Sequence, residues 1–189
     1  MIINSNVSNE IIINKSKFIT YLYKVKNKDE FLKYYEKLKK QYEDATHICY
    51  AYIINNEIKY SDANEPNGSA GMPIYDVLKK NKLNYIACFV IRYFGGIKLG
   101  ASGLVRAYSN STSQALKKTN IIELEKLFKI EITTNYQEIN LIENIINKEH
   151  IIEKTYKDNI TFKVLVNDLE KNKLDNYNIN YKILNDNYF

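Results

Sequence analysis

Every glycine (Gly68, Gly71, Gly95, Gly96, Gly100, Gly103), both prolines (Pro66, Pro73) and both arginines (Arg92, Arg106) fall between residues 66 and 106 of a 189-residue chain. Ile, Asn and Lys crowd the rest, the bias an AT-rich genome imposes where chemistry is indifferent. The exceptions therefore carry information. Glycine supplies backbone angles and close approaches that a Cβ denies, and arginine supplies a planar fork of donors that lysine lacks. A chain sparing with both concentrates them where the backbone must turn tightly or meet something closely.

At 22.2 kDa the chain is long enough for one large domain or two small ones, and 45% hydrophobic with 26% charged residues is the composition of a folded protein. No apolar run reaches the roughly 18 to 20 residues of a membrane span, and Met1 to Glu10 has neither a basic head nor a hydrophobic stretch of a signal peptide. No membrane partner is expected, and the location is predicted to be cytoplasmic. Cys49 and Cys88 lie in apolar runs without metal-finger or CxxC spacing, which fits reduced core thiols. Residues 1 to 120 hold 18 Lys and Arg against 10 Asp and Glu, net +8, and residues 121 to 189 hold 9 against 12, net −3. The division predicts two domains, 1–120 and 121–189, the first facing an anionic partner such as nucleic acid. A lysine-rich solvated surface accounts for the same counts equally well.

The pattern of apolar residues predicts a strand over 16–25, a helix over 28–42 capped by Asn27, a strand over 46–54 apolar on both faces, and a turn at Asn55-Asn56 into a strand ending near Tyr60. Pro73 suits a first helical turn, so a short helix is placed over 73–81. A buried strand over 85–93 precedes the loop FGGIKLGA and a helix over 102–118, with Leu104, Tyr108, Thr112, Ala115 and Leu116 inward and Arg106, Ser113 and Lys117 outward. The first domain thus reads βαββαβα. After a linker at 119–125 come a strand over 126–134, a helix over 135–148, strands over 150–157 and 159–166 joined by Lys157-Asp158-Asn159, a helix over 167–177 and a strand over 178–184. This is the βαββαβ order of a ferredoxin-like domain, and the fold class is α+β.

Residues 90–106, VIRYFGGIKLGASGLVR, deliver Arg92 on a buried strand, follow it with a glycine loop and then open a helix. Backbone amides of such a loop and the helix start favour an anion, phosphate above all, with Arg92, Lys98 and Arg106 to supplement them. The competing explanation is that Gly95, Gly96 and Gly100 only permit tight packing. Gly95 and Gly100 have P-loop spacing, but Ala101 and Ser102 stand where that motif requires Lys and then Ser or Thr, which argues against NTP hydrolysis. A second constellation spans Ser61 to Pro73, with Asp62, Glu65 and the nearby His47. These three are placed to form a metal site, an acid–base pair or, as the favoured alternative, salt bridges to Arg92. A Cys49–His47 nucleophilic pair is disfavoured because Cys49 points into the core. His150 is read as structural. Tyr93 and Phe94 are candidates to stack on bases, against the plainer role of core or rim aromatics.

These same residues resemble a known family, the YigZ/IMPACT group. Lys15-Ser16-Lys17-Phe18-Ile19 is similar to its K-S-x-F-I segment, and Asp44 to Tyr52 (DATHICYAY) to its D-A-x-H-x-C-x-A-Y. Ser61 to Pro73 resembles S-D-D-G-E-P-x-G-T-A-G-x-P, and Arg92 to Tyr108 resembles R-Y-(Y/F)-G-G-x-x-L-G-x-G-G-L-V-x-A-Y. The departures are Ala63-Asn64 for Asp-Gly, which removes a carboxylate from any metal or acid–base scheme, and Ser102 for a glycine. Serine there is expected to keep the helix start as an N-cap. The resemblance implies a ribosomal-protein-S5-domain-2-like first domain, a ferredoxin-like second domain, and a role in translational control or RNA binding without established catalytic chemistry. Eukaryotic relatives carry a further N-terminal domain, which this chain is expected to lack.

The expectation that follows is a translation-associated regulator that binds RNA or the ribosome through Arg92, Tyr93, Gly95, Gly96, Lys98, Gly100 and Arg106. His47, Asp62 and Glu65 form a supporting polar site. The alternative is an enzyme acting on a phosphorylated small molecule or nucleotide, with the loop holding phosphate and Asp62, Glu65 or His47 moving a proton. No cofactor, metal or catalytic residue is assigned.

Overall fold

A computed structural model describes residues 1–124, 126–157 and 159–188. The chain divides into two compact units, Met1–Glu123 and Leu124–Phe189. The first runs β1 (Ile2–Ile3), β2 (Val7–Ile13), β3 (Ser16–Lys24), α1 (Lys28–Gln41), β4 (His47–Ile54), β5 (Glu57–Ser61), α2 (Gly71–Lys80), β6 (Ile86–Tyr93), α3 (Gly100–Leu116) and β7 (Ile121–Ile122). Five strands form one antiparallel sheet in the order β2-β3-β6-β4-β5. β6 takes the centre because its apolar run is buried from Ile86 to Arg92, as a strand covered on both faces must be. Alternate residues then serve two cores. Leu22, Cys49, Ala51, Cys88 and Val90 pack with α2 and α3, while Ile19, Tyr52, Phe89 and Ile91 pack with α1.

Local chemistry sets the element ends. Asn27 caps α1 by accepting the Glu30 amide at 3.0 Å. Asn55 and Asn56 both hold positive φ, +48° and +66°, the geometry of a two-residue hairpin turn. The inward face of α3, with Leu104, Tyr108, Thr112, Ala115 and Leu116, is buried as its periodicity predicts.

Three features of the first unit differ most from expectation. β2 has no counterpart among the expected elements: as an edge strand it is only half-buried at every second residue, so VSNEIII carries no clear alternation. Its turn to β3 uses Asn14 and Lys15 at φ +45° and +63° without glycine. Second, residues 121–122 of the expected linker are a strand, β7, paired with β1 through Ile2↔Ile122 and Ile3↔Ile121. Glu125, the last residue of that linker, lies outside the described residues. Third, α3 starts at Gly100, so Ser102 sits inside the first turn and is not the N-cap; Leu99 is, and no side chain caps the helix. Gly100 at φ +69° makes the earlier start possible.

The second unit runs β8 (Lys126–Thr134), α4 (Ile139–Ile145), a 3₁₀ turn (Lys148–His150), β9 (Ile151–Tyr156), β10 (Ile160–Val166), α5 (Asp168–Asn176) and β11 (Tyr181–Tyr188). Its antiparallel order β11-β8-β10-β9 is the ferredoxin-like arrangement, and the whole is α+β. Asp158, central to the expected β9–β10 turn, lies outside the described residues. α4 is shorter than the predicted 135–148 because the Asn135 side chain takes the Gln137 amide and turns the chain before the helix begins. At the other end, Glu170 draws in the Asn147 amide at 2.7 Å and ends the helical run. Among the described residues no helix is long and apolar enough to cross a membrane.

Candidate functional site

The sequence-predicted residues separate into a buried layer and an exposed rim. The buried layer centres on Glu65, brought under the sheet by the loop between β5 and α2. Arg92 Nη1 donates to Glu65 Oε1 at 2.6 Å, Tyr108 donates to the same oxygen at 2.8 Å, and His47 Nε2 stands 3.8 Å from Oε2. The Arg92 and Glu65 side chains are 6% and 3% exposed, so solvent screens this pair little. Arg92 Nη2 also reaches Ser16 Oγ at 3.4 Å, its guanidinium lies against the Phe18 and Phe94 rings, and its Nε has no hydrogen-bond partner among the described residues. Arg92 therefore stands behind the glycine loop, bound to a carboxylate, with no face offered to a phosphate. The salt bridge foreseen for this group forms with Glu65 and not with Asp62.

Asp62 does different work. Its carboxylate accepts the amides of Gly68, Ala70 and Gly71 at 2.9, 2.9 and 2.8 Å, which caps α2 from outside the helix, where Ala70 has no side-chain acceptor. Asn64 holds φ +69°, a conformation that Asn tolerates better than most residues, so the loss of glycine there is accommodated. His47 Nδ1 bonds the Ala63 carbonyl at 2.8 Å; since a carbonyl only accepts, that nitrogen carries the hydrogen. Asp62, Glu65 and His47 are thus consumed in holding the loop. Among the described residues no group of three His, Cys, Asp or Glu is arranged to hold a metal ion.

Cys49 is buried beside them, its sulfur 3.0 Å from the Asp62 carbonyl and 3.3 Å from the Tyr108 hydroxyl. Burial, with the Glu65 and Asp62 charges adding to it, pushes its thiol up to about 12, opposite to what a nucleophile needs. Burial pushes Cys88 up to about 12 as well. Burial also raises Tyr108, with neighbouring Cys49 and Glu65 adding to the effect, which keeps its hydroxyl protonated as a donor.

The rim is the loop from Phe94 to Gly100 and the start of α3. Gly95 lies against the β2–β3 turn so closely that a Cβ would sit 2.0 Å from the Lys15 carbonyl carbon, and its amide donates to Ser16 Oγ at 3.2 Å. The Phe94 amide donates to Thr46 at 3.0 Å. Beyond them the backbone opens: a Cβ at Gly96 or Gly100 would meet nothing within 4 Å. The Gly96, Ile97 and Lys98 amides have no partner among the described residues, and the α3 start has no side-chain cap. Lys98 and Arg106 are exposed, and Arg106 has no carboxylate partner among the described residues. Tyr93 is half-buried, donates to Asp44 at 2.7 Å and carries Lys17 over its ring, whereas Phe94 is exposed. A cleft of about 370 Å³ opens between Ile13 and Asn14 of the β2–β3 turn and Gly103, Arg106, Ala107 and Asn110 of α3.

Of the residues singled out in the sequence, Lys98, Gly96, Gly100 and Arg106 share the exposed rim, and Gly95 anchors it. Arg92, Glu65, His47 and Asp62 form the support. Sequence reasoning missed Ser16, which joins loop to strand, and both asparagines of the cleft, since nothing in their local sequence distinguishes them from the many others.

Residues 14–116 match the model of the Impact N-terminal domain. The IMPACT family member YvyE of Bacillus subtilis (strain 168) is 40% identical over 168 residues, covering 86% of this chain and 77% of its own. An IMPACT family member of Haemophilus influenzae is 36% identical over 74% of this chain and 70% of its own, and YigZ of Escherichia coli (strain K12) is 30% identical over 72% and 69%. The crystal structure of a hypothetical protein is similar with a TM-score of 0.63 at 26% identity, covering 97% of this chain and 95% of that one.

Proposed function

The chain belongs to the IMPACT family, and from that premise we propose that it is a translation-associated protein that binds RNA phosphates along the exposed rim of its first unit. The observation that carries this is the combination of Arg106, without a carboxylate partner among the described residues, and exposed Lys98 with an α3 start whose amides lack a side-chain cap. Such a surface attracts an anion through the helix dipole and two cations at once. The net charge of +8 over residues 1–120 supports the same polarity of partner. The translational part of the proposal rests on the family resemblance.

The enzyme alternative draws less support. The Asp62 carboxylate is occupied by three backbone amides, and Glu65 is held by Arg92 and Tyr108. Photocrosslinking of the full chain to RNA, followed by mapping of the modified peptides, tests the proposal. Crosslinks concentrated in residues 94–106 are expected. Crosslinks found only in residues 124–189 overturn it.

A further inference from the structure

The cleft beside α3 has a composition that narrows what it can hold. Leu99, Gly103 and Ala107 recur at four-residue spacing, so they share one stripe of the helix and give the cleft a low, apolar floor. A Cβ at residue 103 would stand 3.1 Å from Leu99 Cβ, so glycine keeps this stripe uncrowded. Around it stand three polar heads, Asn14, Asn110 and Arg106. The Asn14 side chain has no partner among the described residues, and Asn110 makes one long contact, accepting from Gln114 at 3.4 Å. Each carboxamide therefore retains both donor and acceptor capacity.

A small inorganic anion would accept from Arg106 and the carboxamide N–H groups but leave the carboxamide oxygens and the apolar floor unused. A purely apolar ligand would cover the floor and leave the three exposed polar heads unused. A flat heterocycle with donors and acceptors on its edge and a negative charge nearby satisfies floor and heads together. We infer that this cleft is a base pocket: it takes one unstacked base of single-stranded RNA on the Gly103–Ala107 floor, with Asn14 and Asn110 on its edge and Arg106 on its phosphate. This rests on the RNA-binding proposal above and deepens it, because paired RNA hides the base edges that the carboxamides would contact.

Fluorescence anisotropy on the full chain tests it with three labelled probes of equal charge per strand: a mixed-sequence single-stranded RNA decamer, an abasic decamer and the same decamer annealed to its complement. The base-bearing single strand should bind at least about fivefold tighter than the abasic and duplex probes, the lower end for a well-placed carboxamide contact. In an Asn14→Gly/Asn110→Ala variant that preference should vanish. Glycine preserves the positive φ of residue 14, and circular dichroism checks that the variant is folded. Equal binding of the wild-type chain to base-bearing and abasic strands overturns the base pocket and leaves phosphate binding standing. A folded variant that keeps the preference also overturns it. Failure of every RNA probe to bind overturns the pocket and the parent proposal together.

Discussion

Replacing Arg92 by Met separates a structural role from a binding one, because the two predict opposite results. The substitution leaves the Glu65 carboxylate, 3% exposed, without its cation. Removing one partner of a buried pair costs roughly 3–5 kcal/mol, and the hydrogen bond that Tyr108 still donates offsets about 1 kcal/mol. A loss of about 3 kcal/mol is expected, a large share of the roughly 5–15 kcal/mol that holds a domain together. Neutralising the orphaned acid as well, in Arg92→Met/Glu65→Gln, should recover about 2 kcal/mol of that loss. Both cysteines are buried in the first unit, so urea-dependent exposure of thiols to a disulfide reagent reports the unfolding of that unit specifically. RNA affinity of the folded Arg92→Met protein should stay within about twofold of wild type, since the guanidinium makes no outward contact. A stability loss under about 1 kcal/mol, joined to a drop in RNA affinity as large as that of Arg106→Ala, would refute this reasoning and make Arg92 a phosphate ligand.

Three further outcomes follow from the same geometry. Asp62→Asn should cost about 1–2 kcal/mol in urea unfolding, because a neutral amide caps α2 less well and turns a donor toward the Gly68 amide, while RNA binding is unchanged. Gly95→Ala should destabilise by at least about 3 kcal/mol, since its Cβ would fall on the Lys15 backbone, whereas Gly96→Ala meets only the strain of a positive φ and should cost about 1–2 kcal/mol by the same measurement. Two thiols pushed from 9.0 to about 12 hold protons in the folded state that the unfolded chain releases. Their contribution is therefore complete below pH 9 and is lost as pH rises from 9 toward 12, at up to about 1.4 kcal/mol per pH unit for each thiol. Urea titrations over that range should show a shallower decline in Cys88→Ala than in the parent.

The strands that carry the first unit were legible because β4 and β6 are apolar on both faces, and only a central strand needs that. The Asn27 cap and the Asn55-Asn56 turn were legible because each depends on residues within three positions of one another. β2 was not, since an edge strand buries one face thinly and its sequence pattern fades accordingly. The start of α3 was misplaced because serine is a good cap in general, whereas Gly100 admits an earlier start that no pattern reveals. At the site, the glycine loop stood out by composition, but the direction of Arg92 did not. Whether a guanidinium meets a solvent phosphate or an internal carboxylate depends on where the loop from Ser61 to Pro73 folds, and that is decided by contacts between distant segments.

The salt dependence of RNA affinity tests the central claim most directly. Anisotropy titrations of a single-stranded decamer between about 50 and 200 mM salt give a slope of log affinity against log salt, with about 0.7 contributed by each phosphate contact on a single strand. Lys98→Ala/Arg106→Ala should flatten that slope by about 1.4 and weaken binding at every salt concentration. An unchanged slope and affinity in the folded double variant would contradict the claim that this rim meets the RNA.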